Sequence, residues 1–189
     1  MDTASAESRP NLYFRDYRLE NVYLRTTESQ RSEILALYHN EGAGIQGADA
    51  QRSSHEAVYL VRGPSRELAG VSTVALVRIK GGLRFYSNSM FIRKRDRVPF
   101  LMLAVLNATR DFLRNFKHPV MQPVGMLIVN ENPKLMRPGA RRAFVRKGYK
   151  YWGQTTAGED VWVAEFGKPD TPGLTSPPVA STTLRIEGC

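Results

Sequence analysis

Five consecutive residues, Arg93-Lys94-Arg95-Asp96-Arg97, set four positive charges around one acid. They lie between a strand-like apolar run ending at Ile92 and a helical apolar run opening at Pro99. Cations at a helix start, where backbone N–H groups lack partners, are chemistry for holding an anion such as a phosphate. The same run also suits a solvated, charged turn. A second group, Asn130-Glu131-Asn132, follows the apolar run Met126–Val129. Amides at a strand end can hydrogen-bond a ligand, and Asn132 also suits the N-cap of the helix that follows. Glu131 is the acid best placed for general-base work, directly or through water, although a lone Glu there equally pairs with an arginine. Glu67 and Asp160 are less central. His39, His55 and His118 are widely spaced with no cysteine near them, which argues against a zinc site. The absence of a G-x-S-x-G elbow and of a P-loop lysine lowers the serine-hydrolase and NTPase readings.

The elements that must position these residues alternate in period. Val22–Thr26 reads as a short strand. Thr27 with Gln30 opens a capped helix to about Tyr38, burying Ile34, Leu35 and Leu37. Glu41–Ser54 reads as a loop with at most a short helical turn. Ala57–Arg62, Glu67–Lys80 and Leu83–Ile92 read as three strands joined by Gly63-Pro64-Ser65 and Gly81-Gly82, hence antiparallel hairpins. In the third of them, alternation puts Ser87 and Ser89 on one face. Pro99–Lys117 reads as a long helix, its first half apolar nearly all round and therefore buried. Met126–Asn130 is a strand, Pro133–Lys147 a second long helix stopped by Gly148, and Tyr149–Gln154 and Asp160–Phe166 two closing strands. The pattern predicts an α/β fold: a mixed, mostly antiparallel sheet with flanking helices and a central parallel crossover. Residues 12–166 form the expected domain, between flexible tails at 1–11 and at 167–189, the latter rich in Pro, Ser and Thr.

The chain has 189 residues, 42% of them hydrophobic, with 27 basic against 18 acidic residues, a net charge of +9. This composition excludes a wholly disordered chain, a collagen-like fibre and a disulfide scaffold; the single cysteine, Cys189, leaves no internal pair. No apolar run reaches membrane-spanning length, and residues 1–10 lack the apolar centre of a secretory signal, so a cytoplasmic location is expected. The excess charge points to an anionic partner. The predicted last helix carries Lys134, Arg137, Arg141, Arg142, Arg146 and Lys147 opposite Met136, Ala140, Ala143 and Phe144. That basic side is either solvated or a docking surface for an acidic protein or RNA.

The order of elements, the strand Phe85–Ile92 leading into Arg93–Arg97 and a long helix, and the Asn132…Gly148-Tyr149 frame of the last helix resemble the GNAT acyltransferase superfamily. The resemblance covers about Val22–Phe166. It implies acetyl-CoA or another acyl-CoA as donor substrate, no metal, and a small-molecule amine as acceptor. It implies that the backbone at Met90, Phe91 and Ile92 pairs with the donor's pantetheine arm, which enters between this strand and Met126–Val129. A backbone N–H in Ser87–Phe91 would polarise the thioester carbonyl. Arg93, Arg95, Arg97 and the amide of Val98 would hold the phosphates, with Asn130 and Asn132 near the cofactor. The family's loop, Q/R-x-x-G-x-G/A, corresponds to Arg95-Asp96-Arg97-Val98-Pro99-Phe100, so Val98 and Phe100 stand where small residues are usual. The family's proton-donating Tyr corresponds to Phe144, which has no proton to give; Tyr149 and Tyr151 are nearby hydroxyls outside that position, and Tyr149 is the candidate for the catalytic role. Within the class, an acyl carrier protein as donor and an N-acyl amino acid as product fit the altered loop. The other reading is a catalytically silent GNAT-like scaffold binding nucleic acid or an acidic protein. A homodimer is compatible with either.

Overall fold

The computed structural model describes residues 9–79, 82–119, 121–167 and 187–188. Most of both expected tails, and Cys189, lie outside the described residues. The strands are β1 (Leu12–Phe14), β2 (Tyr17–Asn21), β3 (Ala57–Arg62), β4 (Leu68–Arg78), β5 (Arg84–Ile92), β6 (Gly125–Asn130), β7 (Lys150–Gln154), β8 (Asp160–Glu165) and β9 (Glu187–Gly188). The helices are α1 (Glu28–Asn40), α2 (Gly47–His55), α3 (Leu101–Asn115) and α4 (Pro138–Arg146). The strands join in the order β1-β2-β3-β4-β5-β6-β8-β7, with β9 on β4. β5 and β6 pair in parallel, while β2 with β3, β3 with β4, and β6 and β7 with β8 are antiparallel. The predicted mixed sheet with its parallel crossover is therefore present.

The chain forms two compact units, the first within residues 1–73 and 90–108, the second within 74–89 and 109–189. In the first, Val22, Ile34, Leu37, Ala57, Leu60 and Val71 form a core, joined at its margin by Leu35 and Phe91. In the second, Val77, Phe85, Leu127, Trp152, Val161 and Val163 do so. Burial of such side chains stabilises by about 1.5–3 kcal/mol each before chain entropy is subtracted.

Local chemistry sets several boundaries as expected. Thr27 and Gln30 form a reciprocal capping box at the start of α1 (Gln30 N to Thr27 Oγ1, 3.2 Å; Thr27 N to Gln30 Oε1, 2.9 Å). Gly148, at φ +82°, ends α4, and the Tyr149 amide donates back to the Phe144 carbonyl at 3.1 Å.

Four expectations are corrected. Val22–Thr26 is not a strand: Leu24 has φ +60° and the Arg25 amide closes a turn on the Val22 carbonyl, so the strand is the preceding β2. Within the expected loop 41–54 lies the start of the nine-residue α2, which buries Ala50, Ser53 and Ser54. α3 begins at Leu101, because Phe100 is left-handed at φ +70° and cannot be a helical residue. The long helix 133–147 is two pieces, a 3₁₀ turn at Pro133–Met136 and then α4. Pro138 forces Arg137 into an extended conformation (ψ 150°), which ends the first piece.

Candidate functional site

In the second unit, the parallel ladder between β5 and β6 has three register pairs: Tyr86–Met126, Ser87–Leu127 and Asn88–Ile128. It stops there among the described residues, yet β5 runs on to Ile92 and β6 to Asn130. β6 stays paired on its other edge, where Asn130 lies opposite Asp160. Val129 and Asn130 thus keep their ladder with β8 beyond the last described β5–β6 pair. Ser87 is half-buried and Ser89 exposed, while Tyr86 and Asn88 are buried, so the two serines share the outer side as alternation predicts.

The Asn130 side chain is buried and its Nδ2 donor has no partner. An amide left so costs about 1–3 kcal/mol unless something accepts from it. Beside it, Asp160 is fully buried and takes a bidentate pair from Arg141 (Nε to Oδ2 and Nη2 to Oδ1, both 2.7 Å), with Gln154 Nε2 at 3.3 Å. Asp160 holds the Arg141 guanidinium above its ordinary pKa. Arg141 also lies over the Tyr151 ring at 5.5 Å. The Arg141–Asp160 clamp fixes α4 to β8 directly against the strand end that carries Asn130. Nothing local in the sequence links Asp160 to an arginine 19 residues earlier.

Glu131 and Asn132 are exposed just beyond β6. The Asn132 side chain accepts from the Lys134 amide at 3.0 Å, so it caps the 3₁₀ turn and not a long helix. Tyr149 is 2% exposed, edge-on to Phe144 at 5.6 Å and beneath Arg110 at 5.4 Å. Burial raises its pKa, with Arg110 opposing. Phe144 is 1% exposed and stacks on Trp162 at 5.1 Å. Both rings are packing elements of the α4–β8 layer.

A burial-raised tyrosine stabilises the fold while neutral. Its contribution is complete below the unfolded pKa of about 10 and is lost as pH climbs towards the higher folded value. The urea midpoint should therefore fall as pH rises past 10. Tyr149→Phe should flatten that fall, and an unchanged slope would show that the hydroxyl ionises freely.

In the first unit, the basic run divides. Arg93 is buried: its Nε donates to Asp96, its Nη2 donates to Glu67 Oε1 at 3.0 Å, and its amide donates to the Ala69 carbonyl at 2.8 Å. Tyr17 Oη donates to Asp96 Oδ1 at 3.1 Å. Asp96, then Glu67, raise the Arg93 pKa, and Glu67 is held low by its own backbone amide and by Arg93. Arg93 is thus committed to protein carboxylates, unlike the phosphate contact the resemblance implies. Lys94, Arg95 and Arg97 are exposed; the Arg95 side chain is 69% exposed and 3.7 Å from Glu67, and Arg97 Nε donates to the Ile92 carbonyl at 2.9 Å. Met90 and Phe91 are half-buried and Ile92 is buried in β5. Val98 is half-buried, and its amide donates to the Asp96 carbonyl at 2.8 Å. No acid stands in the first turn of α3.

Among the described residues no group of three His, Cys, Asp or Glu side chains is placed to hold a metal ion. No described helix is long and apolar enough to cross a membrane.

No family model matches the sequence, and no curated protein matches it. Solved structures do match the fold. The GNAT domain of PAT from S. lividans superposes with a TM-score of 0.60 at 13% identity, over 85% of this chain and 98% of that one. A GNAT-family acetyltransferase from Listeria monocytogenes gives 0.58 at 11%, over 82% and 99%. The N-acetyltransferase YhbS from Escherichia coli, solved in complex with CoA, gives 0.53 at 13%, over 83% and 82%. The fold is that of the GNAT N-acetyltransferases.

Proposed function

We propose that the protein is an N-acyltransferase that moves an acyl group from a thioester donor to an amine. The carrying observation is the parallel ladder that ends at Asn88–Ile128 while both strands continue. Main-chain donors and acceptors released in this way suit an amide-rich pantetheine arm, and the unpartnered Asn130 Nδ2 is a further donor at the same strand end. A β5 N–H just past the ladder polarises the thioester carbonyl. The amine nitrogen attacks the carbonyl carbon, the tetrahedral intermediate expels sulfur, and the C–S bond breaks as the amide forms. Glu131, exposed next to Asn130, takes the amine proton directly or through water, and that proton ends on the departing thiol. In the first unit, Lys94, Arg95 and Arg97 are the exposed cations able to hold an anion, Arg93 and Asp96 shaping their loop from inside. Tyr149 receives no step, since its ring is packed between Phe144 and Arg110.

Acetyl-CoA and octanoyl-CoA test the reading by thermal stabilisation. A donor at a hundred times its Kd stabilises the native state by about 2.7 kcal/mol. Amine-dependent thiol release should accompany the shift. Glu131→Gln should lower kcat about a hundredfold and leave the donor-induced shift intact. Absence of both shift and turnover with every thioester would instead assign the chain as a silent scaffold.

A further inference from the structure

The loop between β5 and α3 turns two kinds of surface outward. Lys94, Arg95 and Arg97 are exposed, and so are Pro99 and Phe100, with Val98 half-buried before them. Phe100 is 66% exposed. Its backbone is left-handed (φ +70°), a conformation that costs a bulky residue energy. Packing does not require the ring, and glycine would make the same turn without strain. The tip is braced from within. Asp96 accepts from Arg93 and from Tyr17, the Val98 amide donates to the Asp96 carbonyl at 2.8 Å, and the Phe100 carbonyl accepts from the Ala104 amide at 2.9 Å to open α3. Charge around the tip is one-sided. Between Glu67 and Asp111 the one acid is Asp96, which is buried and already paired. Arg95 lies 3.7 Å from Glu67 and 3.8 Å from Asp96, loose contacts for a side chain 69% exposed. Among the described residues Lys94 and Arg97 form no ion pair. The first turn of α3 holds no acid, so the positive end of the helix adds to the same field.

We infer that this loop docks the protein on an anionic lipid bilayer, its cations on the headgroups and Val98-Pro99-Phe100 in the interfacial layer beneath them. Each part of the loop gains there. Lysine and arginine close to an anionic leaflet are drawn by its negative surface potential. An aromatic ring and the aliphatic carbon of Val98 and Pro99 leave water at the boundary between headgroups and acyl chains. A free phosphate, or the phosphates of a small donor, would satisfy the cations and leave the apolar tip in water. A single strand of nucleic acid offers Phe100 a base to stack on, but nothing to the valine and proline beside it. The bracing through Asp96 matters for the same reason: a tip held rigidly outward pays little ordering entropy when it enters the interface. The docking does not rest on the acyl-transfer reading, and its test reads binding without turnover.

The probes are sedimentable vesicles of phosphatidylcholine alone and of phosphatidylcholine with about a third phosphatidylglycerol, which is enough to give an anionic surface. The full chain should co-sediment with the anionic vesicles, less at high salt, and should leave the neutral ones in comparison empty. Phe100→Gly should weaken the partition about tenfold, the share of a phenyl ring leaving water. Its melting temperature should hold or rise, because glycine adopts φ +70° freely, so lost binding cannot be lost folding. Lys94→Gln with Arg95→Gln should also weaken it at least about tenfold. Phe100→Trp reports the depth of the tip: its added fluorescence should be quenched by lipids brominated near the top of the acyl chains. No uptake of wild type by anionic vesicles, equal uptake by neutral ones, undiminished uptake of Phe100→Gly, or an unquenched Phe100→Trp each overturns the inference. Release from the vesicles by inorganic phosphate, with chloride of the same ionic strength ineffective, overturns it in favour of a free phosphate. Tighter capture of a single-stranded oligonucleotide, lost in the same variants, overturns it in favour of nucleic acid.

Discussion

Asp96→Ala should cost the first unit about 3–5 kcal/mol, a large share of the 5–15 kcal/mol that holds a typical domain together. Asp96 accepts from both Arg93 and Tyr17, and each of these is itself buried. Its removal strands the Tyr17 hydroxyl and leaves the Arg93 charge with Glu67 alone. Breaking a buried pair is costly because the remaining charge keeps its desolvation penalty and loses its compensation. Arg95→Ala, two residues from Arg93 in the same basic run, should change stability by less than about 0.5 kcal/mol, since its side chain is 69% exposed. Urea unfolding of the two variants side by side makes the comparison. A loss below about 1 kcal/mol for Asp96→Ala would mean that water reaches the pair. Arg93→Met with Asp96→Leu should recover most of the loss, because the double variant leaves neither charge stranded.

Phe144→Ala should cost about 3–5 kcal/mol by opening a cavity in the second unit. The ring is 1% exposed, stacks on Trp162 and meets Tyr149 edge-on, so the surrounding rings have little freedom to collapse inward. Phe144→Leu keeps much of the volume and should cost clearly less, and equal losses would show that the site relaxes freely. Phe144→Tyr carries the functional question. The resemblance implies a proton-donating tyrosine at this position, whereas here the ring lies against aromatic carbon. A hydroxyl added there and left unpaired should cost about 1–3 kcal/mol. Thermal unfolding measures the cost. A variant as stable as wild type with faster turnover would show that the position still opens on the reacting atoms, contrary to the packing.

Much of this protein is decided by residues a few places apart. The Thr27–Gln30 box, the glycine after α4, the turn at Gly63-Pro64-Ser65 and the alternation through Ser87 and Ser89 act over short range, so their elements can be read from the chain. Pro138 is a local signal too, and it divides the last helix where proline geometry requires. The mixed sheet and its parallel crossover follow from the order of such pieces. The α2 segment is polar in sequence and became helix through burial of Ala50, Ser53 and Ser54.

The candidate site is another matter. Arg93, Arg95 and Arg97 are the same residue type at alternate positions, and charge alone treats them alike. Only the fold separates them: Tyr17, 79 residues earlier than Asp96, and Glu67 on the approach to β4 bury one and leave the other two in water. In the same way Arg141 and Arg142 are adjacent, yet the register that sets Asp160 beside Asn130 claims only the first. The sequence by itself determined the cap that opens α1, the glycine that ends α4, the order of the elements from β3 onward and that the surplus charge is positive. The tertiary structure alone decided which cations are spent on internal carboxylates, which amide is left wanting an acceptor and where the parallel ladder stops, because each depends on partners distant in the chain that meet only when the sheet assembles.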